Sequence, residues 1–304
     1  QPGRARRGHR ELLGGAGRSA PETIAPLVHA LADEHAIVRE QAAWSLYRPD
    51  AKEAIPALER ALLDQVAKVR ECAAHALACI GPENLDALNA AVSDEDAHVR
   101  AAVGEALAKR PADASAQLSR LLADSDPGVR ASVARSLLYG GKRDSKGVRD
   151  ALLRALEDTE KAVRQAAAGA LAVQGDCPQE ALRLVEEASL DPDPRTRDIA
   201  FWAACLAPRE ATWPVPILLR ILDASDPQVS YIDQRPIGPF AAILDRGELA
   251  IPALLDGYSR GSRVAGEALM AIGEPAVSAL AEVLRKGDLR APLGVLSLLG
   301  KKGP

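Results

Sequence analysis

Cys72, His75 and Cys79 stand at i, i+3 and i+7 of one helical stretch. At that spacing two thiolates and an imidazole share a helix face, where they could bind zinc. A fourth ligand would come from a neighbouring segment, with Glu105 the candidate. Small cysteines on an alanine-rich helix more often fill space, and we expect no metal and no cofactor. Gly257-Tyr258-Ser259-Arg260-Gly261 has the G-x-S-x-G form of a hydrolase nucleophile elbow. That motif needs a sharp strand-to-helix turn with an acid and a histidine following. Here it falls in a turn between helices, and His9, His29, His35, His75 and His98 all precede it. Asp124-Ser125-Asp126-Pro127-Gly128 opens like a calcium loop but lacks the later ligands. Gly140-Gly141-Lys142 is followed by Arg143 where a phosphate loop has Ser or Thr. We assign no catalytic residue.

The elements that position these residues are repeated. An Asp, a Val-Arg pair five and six residues later, and a Leu seven after the Arg recur at a period of about thirty, the signature of a solenoid. The copies read Asp33, Val38, Arg39, Leu46; Asp64, Val69, Arg70, Leu77; Asp94, Val99, Arg100, Leu107; Asp124, Val129, Arg130, Leu137; and Asp158, Val163, Arg164, Leu171. A weaker sixth copy keeps Asp191 and Arg197 with Thr196 at the Val position.

Each period divides into two helical stretches. Residues 52–63 typify the first, with Ile55, Leu58, Leu62 and Leu63 at helical spacing, and Val69 to Ile80 typify the second. The Asp lies in the turn between them, where it is expected to cap the second helix. Gly81-Pro82, Arg110-Pro111 and Gly273-Glu274-Pro275 close repeats. The predicted fold is all-α, a right-handed α-solenoid of eight or nine stacked helical hairpins. Residues 1–20 read as a basic leader or linker, with Arg4, Arg6, Arg7, Arg10 and Arg18 against Glu11. Six regular repeats span 21–210, an irregular one spans 211–247, where Ser230, Pro236 and Pro239 break the pattern, and two more occupy 248–304. We read the array as one continuous domain. The apolar stretch from Leu289 to Leu299, followed by Lys301-Lys302-Gly303-Pro304, carries no polar cap. That suggests a truncated array or a docking end.

These repeats resemble the HEAT family of α-solenoids, in particular the short bacterial variety related to the phycobilisome lyase repeats, over residues 21–300. In that family the turn Asp and the Arg after Val bond from one repeat to the next. The resemblance therefore implies a structural ladder of Asp33, Asp64, Asp94, Asp124, Asp158 and Asp191 with Arg39, Arg70, Arg100, Arg130, Arg164 and Arg197. Deoxyhypusine hydroxylase has a similar architecture, but its iron is held by His-Glu pairs, and this chain has no His-Glu dipeptide.

In such an array the second helices line the concave surface. By helical phase Val38, Ala42 and Leu46 face inward with Arg39, leaving Glu40, Trp44, Tyr47 and Arg48 outward. The position five after each ladder Arg reads Trp44, His75, Glu105, Arg135, Gly169 and Trp202, a predicted continuous stripe. Trp and Arg are enriched in binding hot spots. We expect Trp44, His75, Glu105, Arg135 and Trp202 to contact a partner. The expected function is a non-enzymatic protein-binding scaffold or adaptor, working within a larger assembly. The alternative is a lyase-like or chaperone-like subunit acting on a tetrapyrrole or modified protein. A net charge of −4 argues against nucleic acid. No run reaches the roughly 20 apolar residues of a membrane span. The cysteine spacing offers no disulfide framework, so the expected location is the cytoplasm.

Overall fold

The computed structural model describes residues 23–81, 85–109, 114–140, 145–175, 177–223 and 239–285. The basic segment 1–20, Ser230, Pro236, the stretch from Leu289 onward and the Gly141-Lys142-Arg143 loop lie outside the described residues. All regular structure among the described residues is helical, and the fold is an all-α solenoid. The elements cluster into two compact units, Gln1–Arg110 and Pro111–Pro304.

Among the described residues the first unit holds three hairpins. They are α1 (Ile24–Ala30) with α2 (Ala36–Ser45), α3 (Ile55–Ala61) with α4 (Ala67–Ile80), and α5 (Asp86–Ala91) with α6 (Ala97–Leu107). Second helices pack on second helices, α2 on α4 and α4 on α6. Their touching faces are small: Ala73, Ala74 and Ala76 have no exposed surface, which lets the backbones approach closely. Leu46, Leu58, Leu77, Leu88 and Leu107 fill the core. Gly81 ends α4 in the left-handed conformation (φ +73°), which a side chain would disfavour. Leu63, expected with the core residues of its helix, is 81% exposed because the chain has already entered the turn.

The second unit continues with α7 (Ser115–Leu121), α8 (Pro127–Tyr139), α9 (Lys146–Ala155), α10 (Lys161–Gln174), α11 (Gln179–Ser189) and α12 (Pro194–Leu206). Then come α13 (Pro214–Asp223), α14 (Pro239–Leu244), α15 (Ile251–Ser259), α16 (Arg263–Ile272) and α17 (Glu274–Arg285). Helix α10 packs between α8 and α12 and is buried from Gln165 to Val173. Pro239, which breaks the repeat pattern, stands at the first residue of α14, where its missing N–H costs nothing.

The turn aspartates do not cap the second helices. Each accepts the backbone N–H two residues on, closing an Asx turn: Val66 N to Asp64 Oδ1 at 2.8 Å, Asp96 N to Asp94 Oδ1 at 2.9 Å, Glu160 N to Asp158 Oδ1 at 2.9 Å. The residue after that turn is the cap. Where it is Asp, its side chain does the capping: Asp96 accepts from His98 N, Asp126 from Gly128 N and Val129 N, and Asp193 from Arg195 N. The Asp64, Asp94 and Asp158 carboxylates also meet a guanidinium from the preceding repeat.

That guanidinium is held twice. Arg39 donates Nε to Asp64 Oδ2 (2.6 Å) and Nη2 to Asp64 Oδ1 (2.9 Å), while Nη1 bonds the Asp33 carbonyl of its own turn (2.9 Å). Arg70 repeats this on Asp94 at 2.7 and 2.8 Å, and Arg130 on Asp158 at 2.7 and 2.8 Å. Arg100, Arg164 and Arg197 bond the carbonyls of Asp94, Asp158 and Asp191 in their own turns. At Asp191 the carboxylate is met by Lys161 Nζ (2.6 Å).

The arginine forks hold the Asp64 and Asp158 carboxyls below their ordinary 3.8, against an opposing burial cost. The fold thus prefers their ionised forms. Their contribution is complete above the unfolded value and lost as pH falls through the lowered ones. The expected urea midpoint is flat from about pH 7 to about pH 5 and drops below about pH 4. In Arg39→Met and Arg130→Met variants that acid limb should be shallower, as urea titration at several pH values would reveal.

Candidate functional site

The candidate residues fall into two groups, one on each unit. In the first unit, α2 presents Trp44, half-buried, with its ring stacked on Tyr47 (centroids 5.9 Å apart, planes 15°). On α4, His75 turns toward two carboxylates, with Nδ1 3.4 Å from Glu105 Oε2 of α6 and Nε2 3.9 Å from Glu71 Oε1 one turn back. Packing of α4 on α6 brings His75 and Glu105 together as the register predicts. Tyr47 stands near the same group: burial raises its hydroxyl pKa, with Cys79 and Glu105 adding to the rise.

In the second unit, Arg135 lies half-exposed on α8 and Trp202 half-buried on α12. Trp202 meets Tyr139 edge-on (6.0 Å, 87°) and its neighbour Phe201 (5.4 Å, 83°). The intervening register position, Gly169 of α10, is buried. A Cβ there would sit 2.8 Å from Ile199 Cγ2 and 3.3 Å from Leu138 Cδ2. The predicted stripe is therefore interrupted. Ile199 of α12 closes over the place where a side chain would have emerged, and the glycine is what lets α8, α10 and α12 approach. Gly169→Val should destabilise by about 1–3 kcal/mol through overpacking, measured by urea denaturation. Gly169→Ala should also cost stability despite its better helix propensity, because Ile199 is itself buried.

Tyr47 and Tyr139 were not among the residues singled out for contact. They follow the ladder arginines Arg39 and Arg130 by eight and nine positions, one turn beyond the five-position row. Residues at that separation are side-chain neighbours on a helix.

The zinc arrangement is not formed. Cys72 points into the core at 3% exposure, while Cys79 and His75 are partly exposed, so the three do not share an outward face. Burial pushes the Cys72 thiol up to about 11 and the Cys205 thiol up to about 12, and raises Cys79 as well. Such thiols stay protonated at neutral pH and are poor nucleophiles and ligands. Among the described residues no group of three or more His, Cys, Asp or Glu could hold a metal ion. Ser259 ends α15 and donates Oγ to the Asp256 carbonyl of its own helix (2.7 Å). Gly257 is buried against Leu219 within that helix, so the G-x-S-x-G match is a helix end. Asp124 and Asp126 spend their carboxylates on the turn and the cap. No helix among the described residues is long and apolar enough to cross a membrane.

A family model described as HEAT repeats matches residues 5–78, 67–138 and 114–205. The structure of the complex of CpcE and CpcF of phycocyanin lyase from Nostoc sp. PCC7120 aligns with 77% of this chain and 97% of its own, at TM-score 0.54 and 20% identity. An engineered protein aligns over 92% of this chain and 89% of its own, at TM-score 0.46 and 21% identity. A designed armadillo repeat protein aligns over 59% and 98%, at TM-score 0.41 and 17% identity. No curated protein matches the chain in sequence. At 20% identity the likeness to the CpcE–CpcF complex speaks to the fold alone.

Proposed function

We propose that this chain, which belongs to the HEAT-repeat family, is a non-enzymatic scaffold that binds another protein through the outward faces of its second helices. The observation that carries this reading is where the large polar-tipped side chains stand. Trp44, Tyr47, His75 and Glu105 on one unit, and Arg135, Tyr139 and Trp202 on the other, rise from helices whose remaining sides are packed with Ala and Leu. Aromatic rings with a hydroxyl or indole N–H supply much contact area at low entropic cost. Within each unit the packed hairpins present them already ordered, which spares part of the cost of association.

The state of the nucleophilic side chains supports binding over catalysis. Cys72, Cys79 and Cys205 are held as thiols, and Ser259 is engaged by its own helix. The net charge of −4 favours a protein partner over nucleic acid. The role is that of an adaptor within a larger assembly, in the cytoplasm.

The test is affinity capture from an extract of the source cells, comparing the native chain with a Trp44→Ala, His75→Ala variant and an Arg135→Ala, Trp202→Ala variant. A protein retained by the native chain and lost by either variant supports the proposal and says which unit binds. Equal retention by all three removes the second-helix faces from the account. Recovery of a coloured species in place of a protein would favour a lyase-like or chaperone-like subunit acting on a tetrapyrrole.

A further inference from the structure

One rung of the second unit is made differently from its counterparts. Arg39, Arg70 and Arg130 each hold Nη1 on a carbonyl of their own turn and direct Nε and Nη2 onto the aspartate of the next repeat. Arg164, half-buried on α10, keeps the first half of that arrangement, with Nη1 2.6 Å from the Asp158 carbonyl and 2.9 Å from that of Thr159. Among the described residues its Nε and Nη2 have no acceptor. The next aspartate, Asp191, is taken instead by Lys161 Nζ at 2.6 Å and by Asp193 N at 2.9 Å. The Asp158 carboxylate, whose charge also feels Arg164, is already joined to Arg130 by two bonds.

Two residues peculiar to this repeat account for the exchange. Three positions before the ladder arginine the other copies carry Ala36, Ala67, Ala97, Pro127 and Pro194, side chains too short to reach an aspartate, whereas this one carries Lys161. One position after the arginine, Gln165 stands where the others have Glu, Ala or Asp. Gln165 is 1% exposed, and its Nε2 has no hydrogen-bond partner among the described residues. It stands near Asp191, since it adds a small part to the fall of that carboxyl below its ordinary 3.8, after Lys161 and the Asp193 N–H. A buried donor left without an acceptor destabilises the fold until something accepts from it. Consecutive residues of α10 thus present a two-toothed guanidinium edge and a buried amide donor.

The closed rungs show what fits such an edge: carboxylate oxygens 2.6–2.9 Å from Nε and Nη2, matched by the planar fork. We propose that the Arg164 fork, assisted by Gln165 Nε2, receives a carboxylate of the bound protein, an Asp or Glu side chain that sits on Arg164 as Asp64 sits on Arg39. This rests on the scaffold reading above and adds the chemistry of the partner, an acidic segment. With Nη1 tied to two carbonyls, the fork is oriented before the partner arrives, which lowers the cost of holding it. Lys161 keeps Asp191 from competing for the same donors.

Two measurements on the full chain test this. In a urea double-mutant cycle Arg130→Met with Asp158→Asn should couple by about fivefold or more in the unfolding equilibrium constant, and Arg164→Met with Asp191→Asn by less than about twofold. The arginine Nε–H signals are then followed by NMR during titration with an acetylated, amidated Ala-Glu-Glu-Ala peptide, with Ala-Gln-Gln-Ala and Ala-phosphoserine-Ala for comparison. At the start the Arg164 Nε–H should exchange with water roughly tenfold or more faster than those of Arg39, Arg70 and Arg130. It should shift and become protected with the glutamate peptide. That response should be lost in Arg164→Lys and weakened in Lys161→Ala, which returns Asp191 to Arg164. Coupling of Arg164 to Asp191 as strong as that of Arg130 to Asp158 would overturn the proposal. So would an Arg164 signal that ignores the glutamate peptide, follows the glutamine peptide equally, or responds to the phosphoserine peptide alone. None of these outcomes involves Trp44, His75, Arg135 or Trp202, so the scaffold reading stands or falls on its own capture test.

Discussion

An Arg246→Met variant loses about 3–5 kcal/mol of unfolding free energy in urea titration, the largest single effect expected in this chain. Arg246 is 5% exposed and points into the second unit, where its fork is surrounded by carbonyls. Nε donates to Ala211 O (2.9 Å), Nη2 to Ala204 O and Ala207 O (3.2 Å each), and Nη1 to Ala242 O. Ala204 and Ala207 end α12, so one side chain satisfies carbonyls that the helix itself cannot pair and places a positive charge at its negative end. Burial pulls the Arg246 pKa below its ordinary value, yet a guanidinium remains charged at neutral pH. Methionine keeps much of the stem and leaves the carbonyls buried without donors. Arg246→Lys should recover only part of the loss, because a single ammonium cannot reach four acceptors spread over two helices and a loop. A loss below about 1 kcal/mol for Arg246→Met would mean that water replaces the fork.

The second large effect lies in the ladder. Arg70→Ala and Asp94→Ala are each expected to cost about 2–3 kcal/mol, and the double variant little more than either. Both side chains are 9% exposed and joined by two parallel bonds at 2.7 and 2.8 Å. Removing Arg70 strands the Asp94 carboxylate and also releases the Asp64 carbonyl of the turn behind it (2.9 Å). Removing Asp94 frees the fork and opens the Asx turn that enters α6. A urea double-mutant cycle measures the coupling. Additive costs would mean that the two residues stabilise their own turns separately and that the rung carries little.

The period, the hairpins and the packing of second helix on second helix were legible because each repeat writes Val, Arg and Leu at fixed offsets. The cap was not. Asp33, Asp64 and Asp94 stand two residues before the helix caps, and a short acidic side chain serves an Asx turn and an N-cap equally well. Only the hydrogen bonds separate the two uses. The outward row at Trp44, His75 and Glu105 followed from helical phase. At Gly169 phase was a poor guide, because α10 is enclosed by α8 and α12 and has no outward face along its middle. Cys72 was misplaced for a related reason: a residue three positions before His75 shares its side of the helix by phase, yet Cys72 is buried while His75 is partly exposed. Arg246 carried no signal at all. It belongs to no repeated motif, and its role depends on carbonyls contributed from 35 to 42 residues upstream.

The most direct test of the binding account is the dissociation constant of the captured partner, measured by isothermal titration calorimetry. Native chain, the Trp44→Ala, His75→Ala variant and a Leu63→Ser variant would be compared. Leu63 is exposed in the turn between α3 and α4, outside both helices. Binding through the second-helix faces predicts a loss of about 30-fold or more for the first variant and an unchanged constant for Leu63→Ser. An unchanged constant for Trp44→Ala, His75→Ala, together with the same result for Arg135→Ala, Trp202→Ala, would contradict it.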